Sequence, residues 1–287
     1  MEMKKHKKMD DKLYLQRRYW YLNNSIQFEL LKAMRDKAVS LMQRTNANNF
    51  IHWLVIRNLE SFDLTLLKRY GICGEDRNIY VSLAKYDHIP SFTFDLKKRS
   101  YSCIGWNKIA KDNIIDYDLL LDFDDKKKTK NSFQELKKEV ITMWKILSIY
   151  NIKFNCYPSG NNFQIVISYE NFKEWYSSDK EISKWEYVGN ITEQIKKIFN
   201  LKYLCMNGIG LWNKIRKCEY SAVNNKVCIP FMNIGELKKF DYDDVELSNI
   251  EFPALVRRGL CYQNDLGDSR ILSNNFRIFC LENFIVH

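Results

Sequence analysis

Proline, glycine and histidine are scarce in this chain of 287 residues, which contains four prolines, ten glycines and four histidines. So little proline and glycine argues against long disordered linkers, which are rich in such residues. None of the histidines lies near a candidate site in sequence, and we expect none of them to be catalytic: His6, His52, His88 and His287.

Long apolar runs and close cysteine pairs are also absent. No stretch reaches the roughly 18 apolar residues of a membrane span, so we expect no membrane partner. The opening MEMKKHKKMDDK has no apolar segment after its lysines, so we do not expect a secretory signal. The eight cysteines include no C-x2-C pair, and we therefore predict reduced thiols rather than a zinc site.

What the chain does contain is apolar residues and basic charge. Hydrophobic residues make up 46% of it and aromatic residues 14%, enough for a core in one large domain or two small domains. Lysine and arginine number 45 against 35 acidic residues, a net charge of +10. This excess favours a polyanionic partner such as nucleic acid or nucleotide.

Hydrophobic periodicity predicts alternating helices and strands, and hence an α+β fold with a mixed sheet. Helices are predicted over 13–45, 133–150 (with Ser132 as its cap) and 181–199. Strands are predicted over 78–87, 117–124, 203–210 and 226–231, with a strand–turn–strand unit over 153–168. Residues 50–56, FIHWLVI, fit either a strand or a buried helix.

The stretch DYDLLLDFDD (116–125) places acidic residues at the end of an apolar run. In a strand, Asp122 and Asp124 point to one face and Phe123 to the other. Two neighbouring carboxylates repel each other, and Mg²⁺ or Mn²⁺ would compensate their charge while binding phosphate oxygens. The competing interpretation is an acidic surface turn balanced by the lysines that follow, Lys126, Lys127 and Lys128.

Two further segments suit phosphate. The turn SGNN (159–162) exposes backbone N–H groups that can cradle a triphosphate, although an ordinary hairpin turn has the same composition. The segment IRKCEYS (215–221) places Arg216 and Lys217 beside a predicted hairpin, where they could bind phosphates or simply face solvent.

The order of these segments resembles the archaeo-eukaryotic primase superfamily, in particular the small catalytic subunit of DNA primases, over roughly residues 30–231. The similarity rests on five blocks in order: the arginine segments MRDKAVSL with Arg35 and VIRNLESF with Arg57, the strand NIYVSLAKYD, the acidic pair in DFD, the turn SGNNFQ, and a last block formed by LCMNGIGLWNKIRKCEYS and KVCIPF. That resemblance implies metal-dependent synthesis of short primers on single-stranded DNA from NTPs or dNTPs, with a primase large subunit as a partner.

The resemblance also implies roles for individual residues. Asp122 and Asp124 would be catalytic and hold Mg²⁺ or Mn²⁺. The nucleotide would be bound by residues of the turn and of the last block, and template DNA by three arginines. These are Ser159, Gly160, Asn161, Gln164, Lys217 and Ser221 for the nucleotide, and Arg35, Arg57 and Arg216 for the nucleic acid.

The family architecture implies a single primase-like domain over 1–287, in the cytoplasm of an archaeal or viral source or in a eukaryotic nucleus. Within it, 1–12 would be a basic frayed tail, 13–115 an N-terminal α/β unit, 116–231 an RRM-like catalytic unit and 232–287 a C-terminal helical or loop segment. The active site would lie between the two α/β units.

Several family positions differ here. Gln164 replaces a histidine, and the third acidic position falls on Cys205, or on Asn207 with a small shift. A later histidine is absent near Val223 and Asn224, and the cysteine-rich zinc module is missing. Three interpretations stay open. Another carboxylate substitutes, from Asp116, Asp118 or Asp125; or the chain is a degenerate paralogue that binds nucleotide or template without polymerising; or the third motif aligns elsewhere.

Overall fold

A computed structural model describes eleven stretches of the chain: residues 11–43, 49–74, 77–87, 94–95, 100–101, 110–127, 129–160, 162–173, 182–223, 226–241 and 269–284. The helices are α1 (Asp11–Leu22), α2 (Asn24–Met34), α3 (Leu59–Ser61, continued as a π-helix over Phe62–Arg69), α4 (Lys130–Ile149), α5 (Lys184–Ile198), α6 (Ile234–Lys239) and α7 (Ser269–Asn283). A single 3₁₀ turn covers Tyr169–Asn171.

The strands form antiparallel sheets. They are β1 (Lys37–Gln43), β2 (Asn49–Leu54), β3 (Arg77–Tyr86), β4 (Phe94–Asp95), β5 (Ser100–Tyr101), β6 (Ile114–Tyr117), β7 (Leu119–Phe123), β8 (Phe154–Pro158), β9 (Phe163–Ile167), β10 (Ile215–Lys217), β11 (Ala222–Val223) and β12 (Lys226–Val227). The larger sheet has the order β10-β3-β1-β2, with β6 also paired to β3, and the smaller sheet has the order β7-β9-β8. Strands β4 and β5, and strands β11 and β12, form two separate two-stranded sheets. The chain therefore has the predicted α+β class.

Two apolar cores hold these layers together. The larger core lies between the smaller sheet, helices α4, α5 and α7, and the β3 and β6 end of the larger sheet. The second core packs α1, α2 and α3 against β1 and β3. No helix in the stretches that the structure describes is long and apolar enough to cross a membrane. The predicted division of the chain into four units stays a prediction.

The helix predicted over 13–45 is wrong in its last part. Helix α2 ends at Met34, Asp36 has the left-handed φ of 58°, and the chain continues as strand β1. Val39 of β1 pairs with Val81 of β3 on one side and with Leu54 of β2 on the other. The segment 37–43 is therefore a central strand of the larger sheet, and its apolar residues suit that position. Pairing with strands distant in sequence, rather than local periodicity, determines the conformation of the segment.

Most other predicted elements are confirmed. Strand β3 corresponds to 78–87, β8 and β9 to 153–168, and α5 to 181–199; β2 shows that 50–54 is a strand, and Val55 and Ile56 lie beyond its end. Helix α4 begins earlier than expected, because Thr129 is its N-cap and Ser132 is the third helical residue of a capping box. The predicted strand 203–210 is wrong except for one bridge, and 226–231 is a strand only at β12.

Candidate nucleotide and metal site

Two acidic side chains lie on one face of the smaller sheet. Asp122 pairs with Gln164 across β7 and β9, and the register ends one position later, at Phe123 and Phe163. Asp124, the first residue beyond β7, contacts Asn162, the residue before β9, through their side chains. Gln164 Nε2 donates to Asp122 Oδ1 at 3.0 Å, and Asn162 Nδ2 donates to Asp124 Oδ1 at 2.6 Å. Phe123, between the two acids, is fully buried on the opposite face. The predicted orientation of the two acids is thus what the strand register gives.

Each acid keeps one oxygen available. Both residues are half-buried, and neither forms an ion pair with a lysine or arginine in the described part of the chain. The Oδ2 atoms of Asp122 and Asp124 accept no hydrogen bond from a described residue. Lys128, one of the three lysines of the surface-turn interpretation, lies outside the described residues. Lys127 contacts the neighbouring Asp125 instead, through its backbone N–H at 2.9 Å.

Cys205 flanks Asp122 on the other side of β7. Its backbone N–H donates to Asp122 O at 2.8 Å, and Asp124 N–H donates to Tyr203 O at 3.0 Å, around the bridge between Phe123 and Leu204. In an antiparallel pair, residues opposite each other share a face, so Cys205 belongs to the face of Asp122. The ungapped count back from Lys217 leads to this same residue, whose side chain is a thiol; that it is the third acidic position of the resemblance stays a prediction.

None of the proposed substitute carboxylates faces this site. Asp125 is buried, accepting from Ser132 Oγ at 2.6 Å and from Lys127 N–H, and so fixes the start of α4. Asp118 is buried in an ion pair with Lys37. Asp116 lies 3.8 Å from Lys85 in the larger sheet. The described residues contain no group of three or more histidine, cysteine or acidic side chains that could hold a metal ion.

The SGNN turn adjoins the acidic pair. Ser159 N–H donates to Asn162 O at 2.8 Å, and Gly160 has a φ of +81°, which favours glycine. Lys217 Nζ donates to Ser159 O, so β10 brings this lysine to the turn. A Cβ on Gly160 would lie 3.7 Å from Lys217 Nζ. Asn161, predicted to bind nucleotide, lies outside the described residues.

Four predicted binding residues are buried: Ser159, Gln164, Arg216 and Ser221. For Arg216 and Ser221, the partners inside the fold require a correction of the predicted role. Arg216 is only 4% exposed, and its Nη1 donates to Glu219 Oε2 at 2.5 Å and to Tyr157 Oη at 2.8 Å. Ser221 is fully buried and donates its hydroxyl to Cys218 O at 2.6 Å. A guanidinium paired inside the fold has no open face for DNA, and a hydroxyl bound to a buried carbonyl has none for a nucleotide.

The other two arginines of the predicted nucleic-acid set are exposed and share one cleft. Arg35 follows the end of α2, Arg57 follows β2, and both line a cleft of about 830 Å³. Apolar side chains from α2 and from the end of β2 complete its walls: Phe28, Leu31, Met34, Val55 and Ile56. The cleft combines cations with an apolar surface, as nucleic-acid grooves do.

The pair of acids fits a hard divalent cation in part. Mg²⁺ is commonly bound through one or two protein carboxylates plus substrate phosphate oxygens, and the two Oδ2 atoms provide that number. The thiol at 205 is a poor third ligand, since Mg²⁺ and Mn²⁺ prefer oxygen. Sequence reasoning missed two partners, Asn162 and Tyr157. The antiparallel pairing of β7 with β9 would have identified Asn162 as the partner of Asp124. From the pair Asp122–Gln164, two positions forward along β7 and two positions back along β9 lead to these two residues.

Comparisons with known proteins give little beyond this geometry. No family model and no curated protein matches the chain. Among solved structures, the polymerase domain of Mycobacterium tuberculosis ligase D in complex with DNA is similar, at 11% sequence identity and a TM-score of 0.48. The alignment covers 90% of this chain and 91% of that chain. A similarity at this level establishes neither a shared fold nor a shared activity.

Proposed function

We propose that this chain is a primase-type nucleotidyltransferase that extends short primers on single-stranded DNA from NTPs or dNTPs. The observation that supports it is the common face of Asp122 and Asp124, each with one oxygen held by an amide and one oxygen available. The Ser159–Gly160 turn and Lys217 adjoin that face. A carboxylate pair beside a phosphate-binding turn is the arrangement that metal-assisted phosphoryl transfer requires.

The side chains divide the work as follows. Asp122 and Asp124 hold Mg²⁺ or Mn²⁺, which supplies charge compensation for the phosphates when bound. Lys217 and the backbone N–H of Gly160 bind and orient the triphosphate, while Gln164 holds Asp122 through Oδ1. Arg35 and Arg57 contact the template backbone from their cleft. A large primase subunit remains a candidate partner.

Incorporation of labelled nucleotide on a single-stranded oligonucleotide, with Mg²⁺ and with Mn²⁺, tests this function. Asp122→Asn combined with Asp124→Asn should lower incorporation at least about 10²-fold, since metal-ion charge stabilisation contributes several kcal/mol. Asp63→Asn is the matched control, because Asp63 is an exposed acid paired with Lys68 far from β7 in sequence. Wild-type protein that incorporates nothing with either metal, alone or with a partner subunit, would sink the proposal.

A second candidate is a non-catalytic subunit of the same fold, and Cys205 is the observation that favours it. A chain that lacks the third acidic ligand could still bind nucleotide and DNA. Cys205→Asp restores an oxygen ligand beside Asp122, whereas Asn207→Asp adds the same charge at an exposed position two residues away. If wild type binds DNA without extending primers and only Cys205→Asp gains activity, the non-catalytic function is correct. Activity in wild type excludes it.

A further inference from the structure

A chain of buried polar groups runs from Asp122 into the larger sheet. Behind Gln164, which contacts Asp122, lies the Tyr157 hydroxyl at 3.1 Å from Gln164 Oε1. Arg216 Nη1 reaches that hydroxyl at 2.8 Å and Glu219 Oε2 at 2.5 Å. All four side chains behind the acid are at most 4% exposed. This series of hydrogen bonds therefore connects Asp122, a candidate metal ligand, to the ion pair between Arg216 and Glu219, outside the smaller sheet.

The donors and acceptors in this chain permit one polarity. A carboxylate oxygen only accepts, so Gln164 must present Nε2 to Asp122 and Oε1 to Tyr157. The guanidinium of Arg216 only donates, so it occupies an acceptor site on the Tyr157 hydroxyl. The phenolic proton must then go to an acceptor, and Gln164 Oε1 at 3.1 Å is one of two within reach. The Asp122 carboxylate thus sets the direction of the Gln164 amide, and the Tyr157 hydroxyl, when it donates to Oε1, holds the amide in that direction.

The second acceptor within reach is Lys217 O, at 3.0 Å from the Tyr157 hydroxyl. Arg216 Nη1 also donates to this carbonyl, at 3.2 Å. Arg216, together with the single Tyr157 proton that Gln164 Oε1 and this carbonyl share, thus holds the backbone of Lys217, whose ammonium group binds the Ser159 carbonyl of the turn. One network supports both the acid that would hold a metal and the lysine that would hold phosphate.

The direction of these hydrogen bonds does not change near neutral pH, because Tyr157 and Arg216 keep their protons. Burial raises the pKa of Tyr157 well above its ordinary value, so the phenol keeps its proton. Burial acts to lower the pKa of Arg216, but the adjacent Glu219 carboxylate outweighs it and the pKa lies well above its ordinary value. The Tyr157 phenol therefore stays a donor to Gln164 Oε1 or to Lys217 O, and Gln164 keeps Nε2 towards Asp122.

We propose that Tyr157 is a positioning residue that, through Gln164, holds Asp122 by Oδ1 and leaves Oδ2 directed to a metal ion, while anchoring the strand that carries Lys217. This inference rests on the proposed function for its metal site. Groups that orient metal ligands typically contribute 10- to 100-fold to metal affinity or activity. Removing such a group should therefore lower the measured affinity for the metal ion.

Tyr157→Phe removes the hydroxyl and keeps the ring. Mn²⁺ binding, followed by electron paramagnetic resonance with a non-hydrolysable nucleotide, should weaken about tenfold. Tyr117→Phe is the matched control, because Tyr117 is also fully buried and donates its hydroxyl to a backbone carbonyl, that of Leu211 at 2.7 Å. Both variants should lose stability to urea to a similar degree, and only Tyr157→Phe should lose Mn²⁺ affinity.

A double-mutant cycle separates positioning from general loosening of the core. Gln164→Met removes the amide while keeping the side-chain length, so it should weaken Mn²⁺ binding by a similar factor. With Mn²⁺ titrated in the absence of nucleotide, so that Lys217 has no phosphate to bind, Tyr157→Phe combined with Gln164→Met should bind Mn²⁺ no more weakly than Gln164→Met alone, since both changes then act on Asp122 by one route. Multiplying effects would overturn the proposal, as would Mn²⁺ affinity within twofold of wild type in either folded single variant.

The outcomes also separate this inference from the proposed function. If wild type binds Mn²⁺ with nucleotide but extends no primer, and Tyr157→Phe weakens that binding, the positioning role stands and the catalytic proposal fails. If wild type extends primers and Tyr157→Phe leaves both incorporation and Mn²⁺ binding unchanged, the catalytic proposal stands and the positioning role fails. A wild-type protein that binds no Mn²⁺ overturns both. If Tyr157→Phe does not fold, Gln164→Met alone decides the question by the same binding measurement.

Discussion

Removing the charge of Asp118 is the perturbation that best separates a structural acid from a metal ligand. Asp118 lies between β6 and β7, where the chain passes from the larger sheet to the smaller one. It forms a buried ion pair with Lys37 and accepts from Tyr169 N–H at 3.3 Å. Asp118→Asn keeps the size of the side chain and an oxygen for Tyr169, and removes only the charge.

The expected cost follows from burial. Lys37 and Asp118 are 5% and 4% exposed, so a neutral residue at 118 leaves the Lys37 ammonium buried without its counter-ion. Removing one partner of such a pair typically costs about 3–5 kcal/mol, whereas removing both is close to neutral. We therefore expect Asp118→Asn to lower the free energy of unfolding by about that amount, and Lys37→Met added to Asp118→Asn to restore most of it.

Urea unfolding followed by circular dichroism measures these free energies, and Mn²⁺ titration of incorporation provides the second readout. The reasoning predicts a large loss of stability with unchanged Mn²⁺ dependence in the folded fraction. A loss below about 1 kcal/mol together with weakened Mn²⁺ dependence would refute it, and would identify Asp118 as the missing ligand. No recovery in the double variant would show that the pair does not act as a unit.

Three further perturbations follow from local geometry. Gly160→Ala should cost about 1–2 kcal/mol in urea unfolding and weaken fluorescent-nucleotide binding, because φ is +81° at that position. Lys137→Met should lower the free energy of unfolding by about 1–3 kcal/mol, because the buried ammonium binds the Lys238 and Phe240 carbonyls at the end of α6. Arg35→Ala combined with Arg57→Ala should reduce the salt slope of single-stranded DNA binding by about 1.4, or about 0.7 for each phosphate contact; an unchanged slope would place the DNA elsewhere.

Acid also weakens the buried pair. Burial acts to raise the pKa of Asp118, but the Lys37 ammonium outweighs it and holds the pKa below its ordinary value. A group whose pKa is lowered by folding stabilises the fold above its unfolded value of about 3.9. That contribution is lost as the pH falls through 3.9 towards the folded pKa. The urea midpoint of wild type should therefore drop faster below pH 4 than that of Lys37→Met with Asp118→Asn.

Local hydrophobic patterns correctly predicted the helices and strands whose apolar residues recur with the period of the element they form. The sequence of β3 places Ile79, Val81 and Leu83 at alternate positions, α4 and α5 carry apolar stripes, and β7 is an apolar run that includes Asp122 near its end. Strand β1 escaped detection because Ala38, Leu41 and Met42 also have helical spacing. Only pairing with β2 and β3 makes it a strand, and a distant partner leaves no periodic signal in the segment itself.

The site was predictable to the extent that it depends on strand geometry. Alternation along an extended chain predicts Asp122 and Asp124 on one face, and the ungapped count back from Lys217 leads to Cys205, whose backbone N–H donates to Asp122 O in the structure. The burial of Arg216 depends on Glu219 and on Tyr157 from another sheet. A basic residue beside a predicted phosphate site looks exposed until its acidic partner is located, so sequence proximity misled in this case.

The thiol at 205 bears on how a metal would be held. Two carboxylate oxygens provide fewer hard ligands than three, so an ion bound by Asp122 and Asp124 must take more of its oxygen ligands from the triphosphate and from water. Metal and nucleotide should then bind cooperatively, each strengthening the other by the same factor, as thermodynamic linkage requires. Cys205→Asp supplies an oxygen ligand from the protein and should raise Mn²⁺ affinity more in the absence of nucleotide than in its presence. The factor by which nucleotide strengthens Mn²⁺ binding should therefore shrink in that variant, whereas an equal gain under both conditions would mean that residue 205 does not face the ion.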